Sequence, residues 1–142
     1  MIKELENFEV DEIMDIWLDV NITAHDFIPK QYWINNYEVV KKRYIPAATT
    51  FVFKEDNIIK GFISVLDKAF IGALFVLGNC QGCGTGKKLI NHCKGIYSSL
   101  ELGVYSDNVK AISFYKSCGF EIIKEQINED SGYIEYIMKW EK

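Results

Sequence analysis

The run Gln81-Gly82-Cys83-Gly84-Thr85-Gly86-Lys87-Lys88 sets three glycines at alternate positions directly ahead of Leu89, Ile90, Cys93, Ile96 and Tyr97, which recur at the spacing of one helical face. No other segment restricts the chain so tightly. Without Cβ atoms the backbone can turn sharply and present consecutive N–H groups, and a helix starting at that point adds the positive end of its dipole, so the segment predicts an anion site. Lys87 and Lys88 add cationic charge. Taken alone, the run is equally consistent with a tight strand-to-helix connection.

A second segment, Asn108-x-x-Ala111-x-x-Phe114-Tyr115-x-x-x-Gly119-Phe120, decides between those readings. In a helix beginning near Asp107, Asn108, Ala111, Ile112 and Tyr115 share one stripe, while Phe114 and Cys118 point elsewhere, toward a core. An amide, a methyl-sized side chain and a phenol in line suit a thin ligand better than a packed interior, which favours larger aliphatic groups. Spacing excludes two other phosphate motifs. A nucleotide-hydrolysing loop needs one more residue between Gly82 and Gly86 and a Ser or Thr after Lys87. A dinucleotide fingerprint needs Gly-x-Gly-x-x-Gly after the first strand.

The two motifs together, Gln-x-x-Gly-x-Gly entering a helix and Asn-x-x-Ala-x-x-Phe-Tyr-x-x-x-Gly-Phe, resemble the GCN5-related N-acetyltransferase (GNAT) superfamily in order and spacing, and the resemblance extends over most of the chain. Trp17 with His25-Asp26-Phe27-Ile28 is similar to a bacterial subgroup of small, single-domain members. The chain departs from the usual pattern at Gly78, where a proline often stands. The resemblance implies an α/β acyl-CoA N-acyltransferase fold, a mixed central β-sheet flanked by helices, with acetyl-CoA as cosubstrate and a primary amine, on a small molecule or a peptide or protein lysine, as acceptor. It implies that the backbone of Leu74, Phe75 and Val76 pairs with the pantetheine arm and that Gln81, Gly82, Cys83, Gly84, Thr85, Gly86 and Lys87 surround the phosphates. Asn108, Ala111, Phe114 and Tyr115 then face the cofactor.

Transfer from a thioester to an amine needs a deprotonated amine, a stabilised oxyanion and a proton for the departing thiolate. A backbone N–H near Leu74–Val76 serves the second need. Tyr115 matches the family's general-acid tyrosine, the alternative being a packing residue. His25 is the candidate base because imidazole titrates near neutrality, the alternative being a structural hydrogen-bonding histidine. No cysteine stands beside a recognisable base, so direct attack in a ternary complex is expected rather than an acyl-enzyme. The competing reading from another functional class is a non-catalytic acyl-CoA-binding sensor or interaction module.

A formal charge of −4 with dispersed Lys and Arg excludes a nucleic-acid surface, and Lys41-Lys42-Arg43 reads as the solvated end of a helix. No segment approaches a membrane span or a signal peptide, so a cytoplasmic protein with reduced Cys80, Cys83, Cys93 and Cys118 is expected, as monomer or homodimer. Cys80-x-x-Cys83 lies inside the glycine loop, and no metal site is expected there. Residues 1–142 read as one domain.

Ile13, Ile16, Trp17 and Val20 predict a first helix, and Trp33, Tyr37, Val40 and Tyr44 a second over 30–44, closed by Pro46. Phe51–Phe53 and Ile58–Leu66 around Asp56-Asn57 read as a hairpin, Ala69–Val76 as a buried strand, Leu100–Tyr105 as another, and 120–127 with 132–140 as a closing hairpin. Trp17, Phe27, Trp33 and Tyr37 either floor an acceptor pocket or cover the sheet, and most are assigned to the core. Tyr133, Tyr136 and Trp140 are similarly divided by alternation.

Overall fold

The computed structural model describes residues 1–142. Apolar residues at both alternate positions of the central strands give a sheet with two buried faces. In β2 (Thr49–Glu55) Phe51 and Phe53 enter one core and Val52 the other; in β3 (Ile58–Leu66) Ile63 and Val65 oppose Phe62. Asp56 and Asn57 close this hairpin with φ of 52° and 64°, the left-handed pair that a two-residue turn requires. β4 (Phe70–Val76) follows, and α4 (Thr85–Lys94) crosses to β5 (Ser99–Tyr105), parallel to β4. α5 (Val109–Ser117) leads to the hairpin of β6 (Glu121–Ile127) and β7 (Ile134–Glu141). With β1 (Ile2–Glu4) at one edge, the seven strands run in the order β1-β2-β3-β4-β5-β7-β6, antiparallel except for β4 and β5.

Helices α4 and α5 cover one face, burying Leu89, Ile90, Cys93 and Ile112 against Ile63, Leu100, Leu102 and Met138. On the other face α1 (Val10–Ala24) and α2 (Lys30–Val39) bury Ile13, Met14, Trp17 and Trp33 against Val52, Ile59 and Phe62. The mixed α/β sheet flanked by helices is the architecture expected from the sequence.

Three local expectations differ. The second helix does not stop at Tyr44: a π-helical turn, Val40–Tyr44, continues into α3 (Ile45–Ala47), with Pro46 inside its first turn. At the start of a helical turn proline's missing N–H costs little, and the wider π turn absorbs the break in the ladder. Tyr44 is consequently 53% exposed rather than a core contact. Ile96 is also exposed, since α4 ends at Lys94 before it can present that residue to the sheet. β1 was not foreseen, because three residues are too few to display a period.

The strand expected to be buried from Ala69 to Val76 departs furthest. It begins at Phe70, only Ile71 is buried, and the rest is partly open. Pairing with β5 is confined to Phe70↔Glu101 and Ile71↔Leu102. On its other edge the register with β3 passes from Val65↔Ile71 to Ser64↔Ala73, leaving Gly72 as a bulge. A Cβ at Gly72 would stand 3.0 Å from Leu66 Cδ1. Beyond this bulge β4 parts from β5, while β5 keeps its full ladder to β7 as far as Tyr105↔Glu135. A wedge opens through the sheet.

Candidate active site

The wedge is the mouth of a cleft of about 720 Å³, bordered by β4, the glycine loop, one side of α5 and one side of α1. Ala73 to Val76 ladder with β3 on one edge only, so alternate backbone groups on the other edge face the gap. Leu74, Phe75 and Val76 line it, and Gln81 Nε2 donates to the Val76 carbonyl at 3.0 Å, tying the loop to the strand end.

Gly82 and Gly84 hold φ of 83° and 82°, conformations open to glycine at little cost, and Gly84 is the N-cap of α4. No side chain caps this end, so the first N–H groups of a ten-residue helix are free for an anion. Thr85 is buried beside Gly61, where a Cβ would lie 3.3 Å from Thr85 Cγ2 and 2.9 Å from the Phe75 carbonyl oxygen, so glycine lets the helix start sit against the sheet. Gly82, Gly84, Thr85, Gly86 and Lys87 all border the cleft. Cys83 does not: it is exposed outside the lining, because the left-handed glycines on either side turn it to the outer edge of the loop.

Gly86 faces Phe114, whose Cζ would stand 3.1 Å from an added Cβ. Gly86→Val is therefore expected to push the ring into the cleft and raise the KM for acetyl-CoA by about 10–100-fold, the range of an overpacking cost of ~1–3 kcal/mol. Steady-state kinetics with acetyl-CoA varied read the effect, and an unchanged KM would remove Phe114 from the cofactor wall.

On α5 the stripe is rotated from the expected one. Asn108, Ala111, Phe114 and Tyr115 border the cleft, but Ile112 turns into the core beneath, and Cys118 is buried as expected. Asn108 caps the helix, its Oδ1 accepting the Ala111 N–H at 3.2 Å. That bond fixes the amide, so Nδ2 donates to His25 Nε2 at 3.1 Å. The His25 proton then resides on Nδ1, which is buried without a partner, while the ring stacks on Trp33 at 5.2 Å. Burial holds this imidazole below its ordinary pKa. Its basic lone pair is already engaged.

Tyr115 packs between Phe114 and Phe120, with ring centroids 5.4 and 5.8 Å away. Its hydroxyl has no hydrogen-bond partner in the chain. Burial, reinforced by nearby Cys118, pushes the phenol well above its ordinary pKa.

Across the sheet the cleft is bordered by Trp17, Val20, Asn21 and Ala24 of α1, by Tyr105, and by Asn128 and Glu135. Trp17 and Trp33 are also core residues, while Phe27, Tyr37 and Tyr133 pack against that core half-buried. Sequence reasoning missed Glu135 and Asn128. One signal was present: Gly103 interrupts an apolar strand, and an interior strand glycine marks a close approach, here by the Glu135 carboxylate.

A sheet split beside an uncapped, glycine-led helix leaves an unpaired strand edge next to a free anion site. The model of the acetyltransferase (GNAT) domain matches residues 23–142. The chain is 31% identical over 140 residues to the peptidyl-lysine N-acetyltransferase YiaC of Escherichia coli, covering 99% of this chain and 96% of that one. The solution structure of apo YjaB from Escherichia coli superposes with a TM-score of 0.86 at 26% identity, over 99% and 96% of the two chains. At 15% identity, PaiA N-acetyltransferase of Thermoplasma acidophilum in complex with coenzyme A shares the fold, with a TM-score of 0.85 over 100% and 98%. The chain belongs to the GNAT acetyltransferase family. It is an N-acetyltransferase with acetyl-CoA as its cosubstrate.

Proposed function

We propose that the acceptor is the primary amine of a lysine side chain in a peptide or protein, acetylated by direct attack in a ternary complex. The full-length likeness to YiaC carries this reading: that enzyme and YjaB, 28% identical over 132 residues, are both named for peptidyl-lysine. Bound acetyl-CoA supplies an activated thioester. The free N–H groups of α4 and Lys87 hold its phosphates, and the unpaired edge of Leu74–Val76 holds its amide arm, with a backbone N–H there donating to the carbonyl oxygen as negative charge develops. Tyr115 keeps its proton throughout the neutral range and donates it to the departing thiolate.

His25 in this reading helps hold the Asn108 amide at the start of α5 and is not the base. The acceptor ammonium gives its first proton to solvent at the open cleft before attack, and the proton the nitrogen loses after attack returns through solvent to Tyr115. No helix is long and apolar enough to cross a membrane, and all four cysteines are free thiols, which supports a cytoplasmic setting.

The test is a panel of lysine peptides, an N-terminal amine, a polyamine and an aminoglycoside, each incubated with acetyl-CoA. Release of free thiol together with Nε-acetyl-lysine in the peptide mass spectrum is expected. Turnover confined to the small polyamines or antibiotics would replace the lysine reading. Cofactor binding without turnover of any acceptor would establish the sensor alternative.

A further inference from the structure

We propose that Glu135 is the acceptor-recognition carboxylate of this enzyme, receiving the ammonium group of the incoming amine from the β7 side of the cleft. It is the one acidic residue lining the cleft, whose two lysines are Lys87 in the first turn of α4 and Lys110 in the first turn of α5. None of the chain's ion pairs includes Glu135. A half-buried carboxylate thus meets the cleft outside every ion pair of the chain, with acceptor capacity open to a group that enters.

Its position is nevertheless fixed. Oε1 accepts from Asn128 Nδ2 at 2.9 Å and Oε2 from Gln126 Nε2 at 2.8 Å. These amides are neutral and occupy one acceptor site on each oxygen, leaving the others for an N–H donor. The carboxylate reaches the cleft because residue 103 is glycine: a Cβ there would stand 3.3 Å from Oε1. A charge-assisted bond to an ammonium group satisfies what the two amides leave open.

The sheet puts this group on the correct side. Leu102 and Val104 face the core beneath α4 and α5, so by alternation Gly103 and Tyr105 face α1 and α2, and Glu135 is the β7 residue opposite Tyr105. Tyr115 packs on the α5 face. The carboxylate and the phenol therefore border the wedge from opposite faces of the sheet, one where a nucleophile enters and one where a proton is given to the leaving group.

The inference rests on the amine acceptor proposed above, and the experiment uses n-butylamine, the simplest lysine side-chain analogue, so that no peptide preference enters. In steady-state kinetics Glu135→Gln is expected to raise the KM for butylamine by about 10–100-fold, the loss of a hydrogen bond to a charged group, with the KM for acetyl-CoA and its thermal upshift unchanged. An unchanged KM for butylamine overturns the assignment. An equal rise in the KM for acetyl-CoA also overturns it, since Glu135 would then be structural. Should the variant not fold, the wild type decides: uncharged butan-1-ol is expected to compete at least about tenfold more weakly than butylammonium binds, and equal competition overturns the proposal. Wild type that turns over neither butylamine nor any lysine peptide defeats the acceptor class and this inference with it, whereas turnover indifferent to Glu135 defeats this inference alone.

Discussion

Tyr115→Phe is expected to lower kcat by about 10²–10⁴-fold while the KM for acetyl-CoA stays within about threefold, the range for loss of a positioned general acid. The substitution removes one hydroxyl with no partner in the chain, so no buried group is left unsatisfied, and the ring contacts with Phe114 and Phe120 persist. Stability should scarcely change. Because burial raises this phenol above its ordinary value, it stays protonated well into the alkaline range, and the wild-type rate should show no alkaline loss from this group below pH ~10. A free-thiol assay over pH 6–10 checks both statements. A variant as fast as wild type would remove Tyr115 as the acid and leave the thiolate to be protonated by water.

The largest effect on stability is expected at Glu9, far from the cleft. Its carboxylate is 1% exposed, accepts Lys54 Nζ at 2.6 Å and the Glu6 N–H at 3.0 Å, and lies 3.4 Å from Lys3 Nζ. Burial alone would raise this carboxyl, but Lys54, the Glu6 amide and Lys3 outweigh it and hold it below the usual carboxylate range. Glu9→Gln leaves Lys54 without its partner and should cost about 3 kcal/mol, the lower end for breaking a buried pair. That corresponds to a fall in Tm of about 10 °C for a chain of this size. With the folded value depressed, the stabilisation is complete above the unfolded value of ~4.3 and is lost as pH falls through the folded one. Denaturant unfolding of wild type and variant between pH 7 and pH 3 should show the two converging in acid; a difference below about 1 kcal/mol at pH 7 would overturn the account.

What was legible in the sequence was local. Gly82, Gly84 and Gly86 announce a turn, and the apolar spacing from Leu89 announces the helix behind it, because both are set by a few adjacent residues. The stripe on α5 was legible to within part of a turn: Asn108, Ala111 and Tyr115 were placed on the ligand side, but helical spacing cannot say how far the helix rolls on its sheet, so Ile112 and Phe114 exchanged roles. Leu74-Phe75-Val76 looked buried from its apolar pattern, for a related reason, although the family resemblance implied an exposed edge there. An apolar run looks the same whether a neighbouring strand or a ligand completes it. Glu135 and Glu9 were missed because their meaning lies in partners remote in sequence, Gly103 for one and Lys54 for the other.

Only two residue pairs join β4 to β5, so within the sheet the two halves meet at a short seam, and the core beneath α4 and α5 supplies the rest of the connection. Acetyl-CoA bound only by the folded chain is expected to stabilise it by about 2.7 kcal/mol when present at 100 times its dissociation constant. Limited proteolysis is therefore expected to slow as acetyl-CoA is added, and an unchanged cleavage rate at saturation would overturn this. On this account a short β-seam makes the enzyme's resistance to unfolding respond to its own acetyl donor.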